Sequence, residues 1–174
     1  AAGGVVGEQP QLVLGGGRHQ VRLIARAVER GIAVAVSDYY PDAPGKAIAA
    51  IPRDLDALDV EANIAFAREI GAAGVVTTGT DMAVATMAAV AEACGLPCYL
   101  SPEGARIATN KARAHEAIAA AGGVRPPAVR VTAPDDPALE TVPLPAVVKP
   151  ADSQGQRGVR RIDHRAARGA AVAA

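Results

Sequence analysis

Along the chain, short runs of apolar, β-branched residues alternate with longer stretches whose apolar positions recur every three to four residues, and glycines punctuate them. The first run, QLVL at residues 11–14, turns on three glycines and enters a segment in which Val21, Ile24, Ala27 and Val28 repeat at helical spacing until Gly31 stops it. IAVAVS predicts a second buried strand, with Asp38 just past its carboxyl end and the turn-rich YYPDAPG following. In DVEANIAFAREIGAAGVVTTGT, Asp59 reads as an N-cap, with Ile64, Ala67, Arg68 and Ile70 on the following turns. Gly71 then stops that helix, and Val75 to Thr78 form a third strand. DMAVATMAAVAEACGLPCYL predicts a helix ended by Gly95 and a fourth short strand, with Met82 and Met87 in the core.

Strands alternating with helices over roughly 100 residues mean βαβ units, hence an α/β fold with a parallel sheet covered on both faces. Ligands of such sheets collect at the carboxyl ends of the strands. The loops there are Gly15 to His19, Asp38 to Asp42 and Thr77 to Asp81. The rhythm changes after Leu100: Ser101 reads as an N-cap with Pro102 at the first helical position, and a second helix runs from about Lys111 to Ala121. These helices read as a linker over residues 101–123, after a first domain at 11–100. From 124 onward come VRPPAVRV, a Pro- and Asp-rich surface loop, the strands AVVKP and GVRRID, and a last helix that Asp163 is placed to cap. Too few strands remain there to bury a core alone, so residues 124–174 read as a small α+β lid.

Composition narrows the partners. Eighteen basic residues balance eighteen acidic ones, so no global field recruits nucleic acid or an anionic membrane. Aromatics at 2% leave no stacking platform for single-stranded bases. No apolar run approaches a membrane span and the start carries no signal-peptide pattern, so the expected location is cytoplasmic and the expected partners are small molecules. Cys94 and Cys98 have neither redox nor zinc spacing and read as small hydrophobes; three scattered histidines support no metal or hydrolase triad.

The densest candidate chemistry is VVKPADSQGQRGV, residues 147–159. Lys149 ends an apolar strand, where its ammonium serves as a fixed point charge for a phosphate. The loop after it offers the Ser153 hydroxyl and backbone amides unobstructed at Gly155 and Gly158, but lacks the Gly-Lys-Ser/Thr of a Walker A loop. A solvated hairpin with a surface lysine is the plain alternative. LGGGRHQ follows a strand and opens a helix, as an anion site requires, and Asp38 lies at the next strand end as in a dinucleotide site. Gln20 stands where the third glycine of G-x-G-x-x-G belongs, so a tight βα turn is the simpler reading. Arg18 and His19 are either anion contacts or exposed first-turn residues, and Asp81 is either a site residue or a plain N-cap. Arg157, Arg160 and Arg161 form a local basic cluster.

VPLPAVVKPADSQGQRGVRRID, taken with the upstream ATNKARAHEAIAAAGGVRPPAVRV, resembles the start of an ATP-grasp ligase, the group that includes biotin carboxylase, carbamoyl phosphate synthase and purine-pathway ligases. The features run in the same order: an Asn-Lys opening a helix, a Gly-Gly-x-x-Pro exit, a strand ending in Lys-Pro, then a glycine-containing loop. SDYYPDAPG and SPEGARIATNK also resemble carbamoyl-phosphate-synthase-like members, and the resemblance extends over residues 11–163. It implies a Rossmann-like pre-ATP-grasp domain, a helical linker and the beginning of an α+β lid. It implies ATP binding by Lys111, Lys149, Ser153, Gln154, Gly155, Gln156 and Gly158, the last five belonging to a mobile loop over the β- and γ-phosphates. On the acceptor-substrate side it implies Gly16, Gly17, Arg18, Thr78 and Asp81.

In that family the adenine-binding strand, the Mg²⁺ ligands and an arginine near the transferred phosphoryl group lie well downstream of the loop. The resemblance therefore implies that this chain is an amino-terminal part, with no magnesium ligand and no assigned catalytic residue of its own. The implied reaction is ATP-dependent carbon–nitrogen ligation: MgATP phosphorylates a carboxylate or bicarbonate, and an amine displaces phosphate from the acyl phosphate. The partners are then a small-molecule carboxylate and an amine, with a homodimer one open oligomeric state. A non-catalytic Rossmann-like module binding a nucleotide or a partner protein is the rival reading. A nicotinamide-dependent oxidoreductase relying on Asp38 is the third.

Overall fold

The computed structural model describes residues 9–173 as two compact units, divided between Arg106 and Ile107. In the first unit, β1 (Gln11–Leu14), β2 (Val34–Asp38), β3 (Ile51–Asp54) and β4 (Gly74–Val76) form one sheet in the order β3-β2-β1-β4. Every pairing is parallel: Leu12 stands opposite Ala35 and Val75, and Ala35 opposite Ile51. The connecting helices are α1 (Arg18–Glu29), α2 (Val60–Glu69) and α3 (Val84–Cys94).

Strand side chains alternate between faces, and each face has its own core. Leu12, Leu14, Ala35 and Val75 meet Ile64 and Ala67 of α2 and Met87 and Val90 of α3. Val13, Val34 and Val36 meet Ile24, Leu23 and Ala27 of α1. This is the parallel α/β sheet covered on both faces that the alternating pattern predicts. Asp59 caps α2 by accepting from the Ala62 amide at 3.0 Å, and Gly95 ends α3 in the left-handed conformation at φ 65°.

Several local expectations are corrected. The stretch expected as a fourth strand, residues 97–100, is not extended into the sheet; the missing strand is β3, whose sequence IPRD has a proline and an arginine in the middle. β3 lies at the sheet edge, where the absent proline amide leaves no central ladder broken. Met82 is 57% exposed rather than core, because it precedes α3, whereas Met87 on α3 is buried. Cys94 and Cys98 are free and half-buried against the larger core cluster.

Helix α4 (Pro102–Thr109) runs across the division between the units, and Ser101 caps it through the Gly104 amide at 3.0 Å. The second unit contains α5 (Lys111–Ala120), the antiparallel pair β5 (Ala146–Val148) and β6 (Arg160–Ile162), and α6 (Arg168–Ala173). Its buried residues include Leu139, Ile162 and Arg168; Arg168 donates to Glu140 and, at 2.7 Å, to the Val142 carbonyl. Asp163 does not cap a helix: its carboxylate accepts from Arg161 Nε at 2.8 Å, and His164 precedes the final helical turns. Among the described residues no helix is long and apolar enough to cross a membrane.

Candidate functional site

In the first unit the chain leaves β1 for β2 and β3 on one side and returns to β4 on the other, so strand order reverses between β1 and β4. Crevices at the carboxyl ends of such strands are where open parallel sheets bind ligands. Two loops meet there. Gly15 turns the chain out of β1 at φ 91°, and the buried Gln20 side chain donates its amide to the Thr78 carbonyl. Thr77 donates its hydroxyl to the Leu14 carbonyl at 2.9 Å, and Gly79 sits so close that a Cβ there would come within 2.7 Å of His19 Cβ. Gln20, an incomplete fingerprint by sequence, is thus the tie between the loops.

Of the residues expected on the substrate side, Gly16, Gly17, Arg18 and Thr78 come to this one edge, with Arg18 and Thr78 exposed. Gly16 is buried and its amide donates to Asp38 Oδ2 at 2.7 Å, so its role is to hold the loop. Asp81 is exposed and lies ahead of α3, where its carbonyl accepts from the Val84 amide at 3.3 Å; the side-chain cap expected of it is not the observed N-cap, which is Ala83.

Asp38 is the last residue of β2 rather than one just past its end, and its carboxylate holds the turn that follows. Its second carboxylate oxygen accepts from the Tyr40 amide at 2.9 Å, so each oxygen has a backbone donor of the fold. Beneath it lies Lys46, which the sequence reading missed. Lys46 is 7% exposed, and its ammonium donates to the Asp38 carbonyl, to the Tyr40 carbonyl at 2.8 Å and to Asp54 Oδ1 at 2.7 Å. Three oxygens around one ammonium satisfy its donors and make burial of the charge tolerable. A lysine after Pro-Gly in a turn reads as solvated; the available signal was Asp54, eight residues later, whose carboxylate pairs with it. On the same turn, a hydrogen bond with Tyr40 raises the Tyr39 hydroxyl pKa to about 12, helped by partial desolvation and by the nearby Tyr40, Asp38 and Asp56 charges.

In the second unit, Asn110 caps α5 by accepting from the Ala112 and Arg113 amides at 3.1 Å each. That cap sets Lys111 at the head of the helix, where its amide donates to the Ala151 carbonyl at 2.8 Å and its ammonium donates to the Ser153 carbonyl. Residues 42 positions apart are thereby joined. Ser153 donates its hydroxyl to the Arg157 carbonyl at 3.0 Å, and the loop turns through positive φ at Gly155 (66°), Gln156 (61°) and Gly158 (68°). Lys149 follows β5 and is exposed, with no hydrogen bond or ion pair among the described residues. Gln154, Gly155 and Gln156 occupy the same loop, and Gly158 packs so closely on Pro150 that a Cβ would meet its Cγ at 2.8 Å. One cation at a helix head, a second at a strand end and a glycine-relieved loop are a set that can hold an anion with several oxygens. Among the described residues no group of three or more His, Cys, Asp or Glu side chains is arranged to hold a metal ion.

No family model and no curated protein matches this sequence. Solved structures do match. N5-carboxyaminoimidazole ribonucleotide synthetase from Thermus thermophilus superposes with a TM-score of 0.72 at 25% identity, over 94% of this chain and 42% of that one. The ADP complex of N5-carboxyaminoimidazole synthetase from Staphylococcus aureus gives 0.73 at 18% identity, over 91% and 42%. The biotin carboxylase domain of Hydrogenobacter thermophilus 2-oxoglutarate carboxylase, a dimer solved with MgADP, ADP and bicarbonate, gives 0.65 at 19%, over 95% and 39%. The chain therefore spans 39–42% of the length of these three proteins.

Proposed function

From a chain with the architecture of the amino-terminal part of the ATP-grasp ligases, we propose that it contributes the acceptor-side domain and the start of the phosphate lid to an ATP-dependent carbon–nitrogen ligase. The observation that carries this reading is the tie between Lys111 and the Ser153–Gly158 loop, which makes one site of two separated motifs. In this reading the first unit is the pre-ATP-grasp domain, and the hairpin after residue 124 begins the lid. ATP, with magnesium held by ligands outside the described residues, supplies the phosphoryl group that activates a carboxylate for attack by an amine. Lys111 and Lys149 neutralise phosphate oxygens as charge develops on them. The loop from Ser153 to Gly158, carrying Gln154 and Gln156, covers those oxygens and keeps water from an acyl phosphate that it would hydrolyse. Gly17, Arg18, Thr78 and Asp81 face the acceptor at the β1–β4 edge.

Charge-assisted contacts are each worth about 1.5–3 kcal/mol, so Lys149→Ala should weaken ATP binding about tenfold or more. Calorimetric titration with ATP reads this directly, and unchanged affinity removes the site assignment. ADP release with a matched acid and amine separates the ligase from a non-catalytic nucleotide-binding module.

A further inference from the structure

The two cations of the second unit's loop site stand differently. Lys149 is exposed and has no hydrogen bond or ion pair among the described residues, whereas Lys111 is half-buried and its ammonium donates to the Ser153 carbonyl. That carbonyl belongs to the loop that would itself cover a ligand. The head of α5 does not depend on this contact: the Lys111 amide donates to the Ala151 carbonyl at 2.8 Å, and Asn110 caps the helix through two amides. The ammonium can therefore change partner while its backbone stays in place.

The loop holds its own shape weakly. Residues 155–160 are all exposed. Its internal hydrogen bonds include the one from the Ser153 hydroxyl to the Arg157 carbonyl at 3.0 Å and two long ones. In those, the Arg157 amide donates to the Gln154 carbonyl at 3.5 Å and the Val159 amide to the Gln156 carbonyl at 3.3 Å. Gln156, at φ 61°, is the one non-glycine with positive φ among the described residues, a conformation that L side chains disfavour. Such a turn needs support from outside itself, and the Lys111 ammonium supplies it. A carbonyl is neutral, so a charged phosphate oxygen is the stronger acceptor for the same ammonium.

We propose that the Ser153 carbonyl is an internal latch: it engages the Lys111 ammonium until an incoming phosphate oxygen takes that ammonium and releases the loop. Lys149 is then the cation that meets an anion first, and Lys111 joins only when the loop lets go. Anion binding is weaker than the two lysines alone would give, by the fraction of molecules in which the latch is closed. Naming the anion as ATP rests on the ligase reading; the latch itself does not.

The sequence has three lysines, Lys46, Lys111 and Lys149, and each reports a different state. In the full chain, in buffer free of phosphate and sulfate, limiting acetic anhydride should acylate Lys149 fastest and Lys111 about tenfold more slowly. Buried Lys46 is a slow internal reference for the fold. Gly155→Ala keeps every lysine and strains the latched loop through its φ of 66° alone, since nothing lies within 4 Å of the added Cβ. It should raise Lys111 labelling about fivefold and leave Lys46 slow, with a thermal melt confirming that the variant folds. Calorimetry should then show inorganic tripolyphosphate binding the variant about threefold more tightly than the unaltered chain. A loop that only covers the anion gives equal or weaker binding in this variant. The proposal is overturned if Lys111 acylates as fast as Lys149, if Gly155→Ala leaves Lys111 slow, or if tripolyphosphate does not bind the variant more tightly. The labelling uses no anion, so its failure leaves the phosphate assignment standing. An ATP affinity unmoved by Lys149→Ala removes that assignment and leaves the latch standing.

Discussion

The two units hold their functional loops by different means. At the sheet edge of the first unit, loops are locked from below: Gly16 hydrogen-bonds Asp38, Gly45 hydrogen-bonds the Gly16 carbonyl at 2.7 Å, and buried Lys46 ties β2 to β3. In the second unit the loop after Lys149 is exposed over most of its length and is held chiefly by Lys111 and by its own turns. A site on the first plan is shaped before a ligand arrives, whereas one on the second can exchange a carbonyl for a ligand oxygen at the Lys111 ammonium.

The largest test of this contrast is steric. A Cβ at Gly45 would lie 2.5 Å from Ile24 Cδ1 and 2.8 Å from the Gly16 carbonyl oxygen, with a backbone that is ordinary for any residue at φ −65°. Gly45→Val should destabilise the first unit by about 3 kcal/mol or more in urea denaturation. At Gly155 a Cβ meets nothing within 4 Å, and only its φ of +66° opposes a side chain. Gly155→Ala should cost about 1 kcal/mol. Equal costs would mean that the two loops are equally constrained.

Next comes the buried ammonium. Lys46→Met keeps the length of the side chain and removes three donors, leaving the Asp38 and Tyr40 carbonyls without this partner. A loss of about 2–3 kcal/mol is expected. Exchange protection of the Gly16 amide should fall with it, because that amide rests on the Asp38 side chain of the same turn.

These tests fall on residues that differ in how far the sequence revealed them. β1 and β2 were legible because continuous apolar runs bounded by glycine or a turn suit strands buried on both faces. β3 was not, since its half-buried and exposed positions alternate over only four residues and its proline argues against a strand. The resemblance pointed to Lys111 and Ser153 one by one, but their meeting is a tertiary fact between residues 42 apart. Asp38 stood out only by its position at a strand end, and the tight turn that the sequence favoured there over a dinucleotide site is the one its two oxygens hold through backbone amides. Lys46 and the tyrosine pair were hidden in a stretch whose proline and glycine content announced only a turn.

Helix caps give a smaller and more even comparison. Asp59 accepts one amide at the head of α2, and Asn110 accepts two at the head of α5. Each change to alanine should cost about 1 kcal/mol. The two caps differ in the residue each one positions. Asn110→Ala loosens the turn that places Lys111, so it should also speed tryptic cleavage after exposed Arg157, while Asp59→Ala should leave that rate unchanged. Unaltered cleavage in Asn110→Ala would show that the Lys111 contact does not restrain the loop.

The smallest expected effect is electrostatic and belongs to the first unit. The Tyr39 hydroxyl titrates near 10.0 when unperturbed and at about 12 in the fold, so between those values the folded state binds more protons than the unfolded one. By linkage, this group's contribution is fully present below pH 10.0 and is lost as pH rises through about 12. The ring is more than half exposed, and solvent screening keeps the change modest. Ultraviolet difference titration of the protein against Tyr39→Phe isolates the transition, and the variant should lose stability less steeply across that window. A Tyr39 midpoint near 10.0 would show that the tyrosine pair is not held together by its hydrogen bond, and the rings would then be independent side chains rather than one fixed surface.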